Sequence, residues 1–408
     1  MWGWASTNPI YGGTGSGSLS KDNPTTTLLD GLHNAGFTTN DELTNLYSSY
    51  RAERPEVGMF KADWSLPEPT QDKYSESLLS GATSFGDTAV VTIARSGGEG
   101  FDLPRDVNAE TSNNPYFSYT NNSDEYADFE DGQGYLELTR PEKDMIELAK
   151  QTSDKTVVVI NAANAFELGD LQDDPEIDVI VWAIPGGQVG FNALGRILDG
   201  EVNPSSETPD TFARDIKSGP AANNFGDFQY TSMTEFAQED PFNKGTQTQP
   251  SFVNYNDSIY VGYRWYETAA AEGVIDYASE VVYPFGFGLS YTTFSQSMGD
   301  ISVDEATGTM SADVTVTNTG QVAGKDVVQI YDNPPYTDGG IEKSAANLLT
   351  YNKTKLLEPG ETQTITVTWN RDSLASYDAK DAKAYVLEAG DYKISARANS
   401  HELRDERR

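Results

Sequence analysis

The chain has 408 residues, enough for two or three domains with sizeable cores. Its 28 Lys+Arg against 63 Asp+Glu leave a formal charge of −35, a surface that repels phosphate backbones and anionic lipid and so argues against nucleic-acid and membrane-surface partners. With no cysteine, disulfides and thiolate metal sites are excluded, and no apolar run reaches the roughly 18 residues of a membrane span.

The opening Met-Trp-Gly-Trp-Ala-Ser lacks the basic and apolar regions of a secretory signal. A cytoplasmic location is therefore expected, and the sequons at Asn121, Asn256 and Asn352 read as chance matches. Residues 2–5 have the character of the tail of a strand. Tyr-Gly-Gly-Thr-Gly-Ser-Gly at 11–17 is as glycine-rich as a phosphate cradle, but it lacks the Gly-Lys-Ser/Thr ending and a full preceding strand. It reads as a loop of close backbone approach. The stripe Leu28, Leu29, Leu32, Ala35, stopped by Gly36, predicts a helix over 25–35, and further helices are expected at 42–52 and 74–84. Asp63-Trp64 lies in the irregular stretch 53–69.

Residues 88–94 form a short β-branched run, the signature of a strand buried on both faces, as in a parallel sheet. Arg95 ends it, and Ser-Gly-Gly-Glu-Gly follows. Ligands of open α/β sheets bind beyond the carboxyl ends of the strands, which is where Glu99 falls. A lone Gly-Glu-Gly is equally the sequence of a solvated turn, the commoner setting for an acidic loop residue. The stretch 101–134, which begins with Phe101-Asp102, is long, polar and rich in Asn and Tyr. A helix over 141–152 has Pro in its first turn. Buried strands are expected at 156–160, ending in Asn161-Ala-Ala-Asn164, and at 178–183, where Trp182 in an apolar run reads as core. A helix at 189–198 ends at Gly200. This alternation specifies a doubly wound α/β domain, with the loops carrying Glu99, Asn161/Asn164 and Gly187/Gln188 opening at one edge.

Residues 203–249 are irregular, and 260–270 predict an aromatic helix. The aromatic, glycine-punctuated stretch 283–294 reads as a connector. Beyond it the period changes to two, at 310–316, 326–331, 362–369, 384–387 and 392–396, with turns at 318–320, 358–360 and 389–391. Short strands at this spacing predict an all-β immunoglobulin-like sandwich. The expected organisation is an α/β sandwich domain over 1–294, a β-sandwich over 295–401 and a charged tail over 402–408.

Four stretches carry a family resemblance: Asn-Ala-Phe-Glu-Leu at 164–168; Gly-Phe-Asn-Ala-Leu-Gly at 190–195 running into Gly-Glu-Val-Asn-Pro-Ser at 200–205; Tyr-Val-Gly-Tyr at 260–263 with Tyr266-Glu267; and Tyr-Pro-Phe-Gly-Phe-Gly-Leu-Ser-Tyr at 283–291. Together they resemble the glycoside hydrolase family 3 β-glucosidases, over the family's α/β sandwich domain and its fibronectin type III-like domain. The resemblance implies a retaining, exo-acting hydrolase of terminal β-glycosides, with a β-glucoside or oligosaccharide as substrate and no cofactor or metal. Glu99, in its Gly-Glu-Gly context, falls on the family's general acid/base. Two neighbours are substrate-binding candidates. Arg95 orients Glu99 or ends the strand, and Asp102 is a second acid or a solvated loop carboxylate.

The sequence also departs from the family. Family members hold the nucleophilic aspartate in a (β/α)8 barrel with a Lys-His pair, and no barrel-length segment is present. Neither His33 nor His401 follows a lysine. Asp63-Trp64 is similar to the nucleophile's Asp-Trp but lies inside the α/β domain, so it is read as a coincidence. Ser206-Glu207-Thr208 stands where the family has Gly-Arg-Leu. The expected arrangement is a chain cut from such an enzyme, supplying the acid/base glutamate, with the barrel coming from the parent chain or another chain. The rival expectation is a non-catalytic carbohydrate-binding or interaction module derived from such an enzyme. A nucleotide-binding α/β protein ranks behind both, since residues 11–17 carry no lysine.

Overall fold

A computed structural model describes the chain except for residues 21, 54, 56, 59–60, 101–102, 110–117, 121–126, 225–227, 241–243 and 408. The chain divides into two compact units, residues 1–202 with 228–252 and residues 203–227 with 253–408.

Unit one is built on a parallel sheet of β1 (Thr88–Arg95), β2 (Lys155–Ala162) and β3 (Val179–Trp182), in that order. Trp2 pairs in parallel with Val91 on the free side of β1, so the start of the chain does lie along the sheet. The β-branched runs of β1 and β2 are buried apart from their first turns of chain. β3 differs from expectation. It is a half-exposed edge strand, with Val179 46% exposed, and Trp182 is half-buried rather than core, its indole N–H donating to the Ala162 carbonyl at 2.9 Å.

The helices are α1 (Leu28–Asn34), α2 (Asp41–Ser49), α3 (Glu76–Phe85), α4 (Arg140–Thr152), α5 (Gly169–Gln172) and α6 (Phe191–Leu198). Capping boxes start two of them, Thr27 with Asp30 for α1 and Thr139 with Glu142 for α4. Leu28 of α1 and Phe191 and Leu194 of α6 cover Val159 of β2. The two helices cross backbone against backbone: a methyl group on Gly31 would overlap the Phe191 carbonyl, and one on Gly195 the Gly31 carbonyl. Among the described residues no helix is long and apolar enough to cross a membrane.

Unit two contains a β-sandwich. One sheet has β8 (Thr309–Asn318) at its centre, paired with β6 (Phe294–Met298) and β7 (Ser302–Asp304) on one side and β11 (Thr362–Asn370) on the other. The second runs β10 (Asn347–Lys353), β9 (Val327–Asn333), β12 (Lys393–Arg397), β13 (Leu403–Arg407). Alternation aims Ala312, Val314 and Val316 at Val328, Ile330, Ile394 and Ala396 across the core. The charged tail is thus a correction: residues 403–407 pair with β12 as an edge strand, where charge blunts an otherwise open row of backbone donors and acceptors.

The same unit includes the ribbon of β4 (Phe212–Ala213) and β5 (Val281–Tyr283), with α7 (Pro220–Asn224), α8 (Tyr263–Ala271) and α9 (Tyr277–Glu280). The start of α8 and the turn after β5 lie against β9. The Gln329 side-chain amide donates to the Gly286 carbonyl at 2.8 Å, and Tyr331 meets Tyr263 edge-on at 6.2 Å. Packing therefore groups 203–227 and 253–294 with the sandwich, whereas the sequence pattern places the boundary at 294.

Candidate active-site loop

β1 delivers the chain to residues 96–100 at the carboxyl edge of the parallel sheet, so Glu99 lies beyond a strand end. Three loops meet there. Thr14 pairs with Gly98, and its hydroxyl donates to the Glu99 carbonyl at 2.5 Å. Gly98 has φ +144°, and a side chain on it would strike Thr14, so only glycine allows this approach. A Cβ on Gly97 would lie 2.6 Å from Asn164 Oδ1, which places the loop after β2 against the Glu99 loop. The glycine-rich run 11–17 is a close-approach loop, and what approaches it is Glu99.

Glu99 is solvent-exposed. Its Oε2 accepts the Ser16 backbone N–H at 2.7 Å, and this bond, with a side-chain bond from Ser16, holds its carboxyl below the usual glutamate range. A carboxylate in that state is ionised at neutral pH.

Asn161 is fully buried and acts as a strut. Its Oδ1 accepts the Ile10 N–H at 2.6 Å, and its Nδ2 donates to the Ile10 and Ala183 carbonyls at 3.2 and 3.0 Å. Gly187 N–H donates to the Tyr11 carbonyl at 2.8 Å, tying the loop after β3 to the same N-terminal segment. The loops after all three strands thus gather at one edge, joined through residues 10–17.

Arg95 is a correction. It is 1% exposed, and all of its five N–H donors are engaged within the fold. Nε donates to the Tyr135 carbonyl at 2.6 Å, Nη1 to Ala94 O at 2.9 Å and Glu142 Oε1 at 2.7 Å, and Nη2 to Glu137 O at 2.8 Å and Glu142 Oε2 at 2.7 Å. No donor is left for a sugar hydroxyl or for Glu99. Glu142 is the third residue of the α4 capping box, so one carboxylate both caps the helix and neutralises the arginine. Asp102 lies outside the described residues, as do Asn121, Tyr116 and Tyr126 of the polar stretch. Asp63 accepts the backbone N–H and hydroxyl of Ser65 and closes a tight turn. His33 Nε2 lies 3.0 Å from the Thr39 hydroxyl, on the exposed end of α1.

Sequence reasoning missed a cluster in unit two. Glu267 is buried and accepts from the Tyr277 hydroxyl at 2.8 Å, the Ser400 hydroxyl at 2.8 Å and His401 Nδ1 at 2.9 Å. The Tyr277 ring stacks on His401 at 3.7 Å. The sequence signal was Glu267 beside Tyr266; Tyr277 lies ten residues on, but Ser400 and His401 are 133 and 134 residues away.

Residues 2–291 match the glycosyl hydrolase family 3 C-terminal domain, and 326–400 the fibronectin type III-like domain. Beta-glucosidase A of Butyrivibrio fibrisolvens is 32% identical over 407 residues, covering 94% of this chain and 44% of that protein. A beta-glucosidase of Ruminococcus albus is 31% identical over 391 residues, covering 94% and 34%. Among solved structures, a beta-glucosidase from Paenibacillus barengoltzii superposes with TM-score 0.75 at 26% identity, over 100% of this chain and 39% of that one. Beta-glucosidase 3B from Thermotoga neapolitana, in complex with alpha-D-glucose, gives 0.73 at 26% identity, over 99% and 49%. The chain spans less than half the length of each of these proteins.

Proposed function

Because the chain belongs to the glycosyl hydrolase family 3 C-terminal domain family, we propose that it is the acid/base-bearing part of a retaining, exo-acting β-glucosidase, with Glu99 as the acid/base and the nucleophile on a (β/α)8 barrel outside these 408 residues. The observation that carries this is the position of Glu99, on a glycine loop at the carboxyl edge of the parallel sheet, with its carboxylate exposed.

Retaining hydrolysis needs two carboxyl groups about 5–5.5 Å apart, one acting first as acid and then as base. The charge state of Glu99 described above suits the base half. For the acid half its pKa must rise, and two physical changes would raise it: burial, and a second carboxylate placed close by. A barrel closing over the loop would supply both. The isolated chain, lacking a nucleophile, is then inactive on β-glucosides.

The test is an aryl β-glucoside assay of this chain, of a barrel-containing enzyme that includes it, and of that enzyme carrying Glu99→Gln. The chain alone should show no enzymatic turnover, and the variant should lose about 10²–10⁴ in rate on substrates with poor leaving groups. In Glu99→Ala, azide should restore activity on an activated substrate. Full activity of Glu99→Gln would end the assignment.

A further inference from the structure

Unit two holds a cavity of about 530 Å³ that belongs to none of the elements around Glu99. It lies between α8, the loop after β9 and the turn before β12, where Tyr260, Tyr336, Asp338, Asp391 and Lys393 line it. From these residues we propose that the cavity is a second binding site, for a neutral saccharide of one or two pyranose rings.

Its size falls in the range of small-molecule sites, about 300–1,000 Å³. Its walls are held in place. Lys343 is buried and bonds both the Pro335 carbonyl and Glu388 at 2.5 Å, which fixes the loop. The Asn333 amide donates to the Ala345 carbonyl at 2.6 Å, and Ala345 N–H donates to the Thr268 hydroxyl at 2.9 Å, joining that loop to α8. The Tyr260 hydroxyl donates to Glu342 at 2.5 Å, which orients its ring. Tyr336, by contrast, is 47% exposed, and among the described residues no other ring stacks on it.

The chemistry selects the ligand class. Asp338, Asp391 and Lys393 line the cavity without a side-chain hydrogen bond or ion pair among the described residues. Carboxylates accept pairs of hydroxyls, an ammonium donates to them, and an aromatic ring takes the apolar face of a pyranose. With Lys343 neutralised by Glu388, the remaining lining carries more negative than positive charge, on a chain of net charge −35, so an anionic ligand is repelled. A wholly apolar ligand would strand these ionised groups without water. No group of three acidic or histidine side chains converges to hold a metal ion among the described residues.

The experiment is ligand-observed saturation-transfer NMR on the whole chain with glucose, cellobiose and glucose 6-phosphate, on wild type and on Tyr336→Ala, Tyr336→Trp, Asp391→Asn and Glu99→Gln. Both substituted side chains of the cavity are exposed, and melting curves check that each variant folds. Binding on the order of millimolar is expected for the neutral sugars. Tyr336→Ala should weaken it by about tenfold, Tyr336→Trp should preserve it, and Glu99→Gln should leave it unchanged. Absence of transfer, preference for the phosphorylated sugar, or indifference to the cavity substitutions would overturn the proposal. Loss of binding only in Glu99→Gln would instead place the sugar at the catalytic loop. Because the cavity argument does not use Glu99, either proposal can fail without the other.

Discussion

At the scale of single residues, the end of β1 and the loop it leads into hold two charged residues with opposite fates. Glu99 keeps a solvated carboxylate tuned by a backbone donor, while Arg95, four residues earlier, is sealed in. Ser16→Pro removes both the N–H and the side-chain bond that lower the Glu99 pKa. The Glu99 carboxyl titration, followed by NMR, should then move up toward the ordinary glutamate value; an unchanged titration would mean the Ser16 bond is absent in solution. Arg95→Ala strands the buried Glu142 carboxylate and should cost about 3–5 kcal/mol in urea unfolding. The place of Glu99 beyond a strand end was legible because a β-branched run leads directly into its glycine loop, whereas its expected role came from the family resemblance. The role of Arg95 was not legible, because its partner lies 47 residues on, inside a capping box whose local pattern gives no hint of a second duty.

At the scale of elements, periodicity identified the parallel strands and most helices of unit one to within a few residues. It failed where burial departs from local pattern. β3 has the apolar composition of a central strand, yet among the described residues no further strand pairs with it, and Val179 is exposed. β13 reads Leu-Arg-Asp-Glu-Arg and shows no alternation, because an edge strand needs only backbone pairing. The crossing of α1 and α6 was also invisible, since a glycine in a helix looks like a weakness until the facing backbone is known. Gly195→Ala forces these helices apart and should destabilise unit one by about 1–3 kcal/mol, despite alanine's better helix propensity. A calorimetric trace with an unchanged or higher midpoint would contradict the close crossing.

At the scale of the molecule, net charge and buried acids set a pH dependence. Glu207 packs against Gly288 with Oε2 unpartnered, and burial, then the Asp326 charge, push its pKa up to about 8, against the opposing pull of Arg404 and Lys353. His401 is raised by its bond to Glu267. Both groups hold protons more tightly folded than unfolded. Their contribution is therefore complete below the unfolded pKa of each, about 4.5 for Glu207, and is lost as pH rises through the folded value. Unit two should lose stability between pH 5 and 9, by roughly a few kcal/mol, and Glu207→Gln should flatten part of that slope, the rest coming from His401 and from Asp332, which burial pushes up to about 7. A variant with an undiminished slope in urea titrations across this range would discount Glu207.

The interleaving of the two units bears on how such chains can be recombined. Residues 203–227 belong with the sandwich and 228–252 with the parallel sheet, so the backbone passes between the units three times. No single junction between this sequence and a relative can then transmit either unit whole without carrying a foreign piece of the other. A chimera joined at 202 inherits a mismatched 228–252, and one joined at 252 pairs a native β4 with a foreign β5. Viable hybrids need three crossovers, or parents whose β4–β5 ribbons are interchangeable.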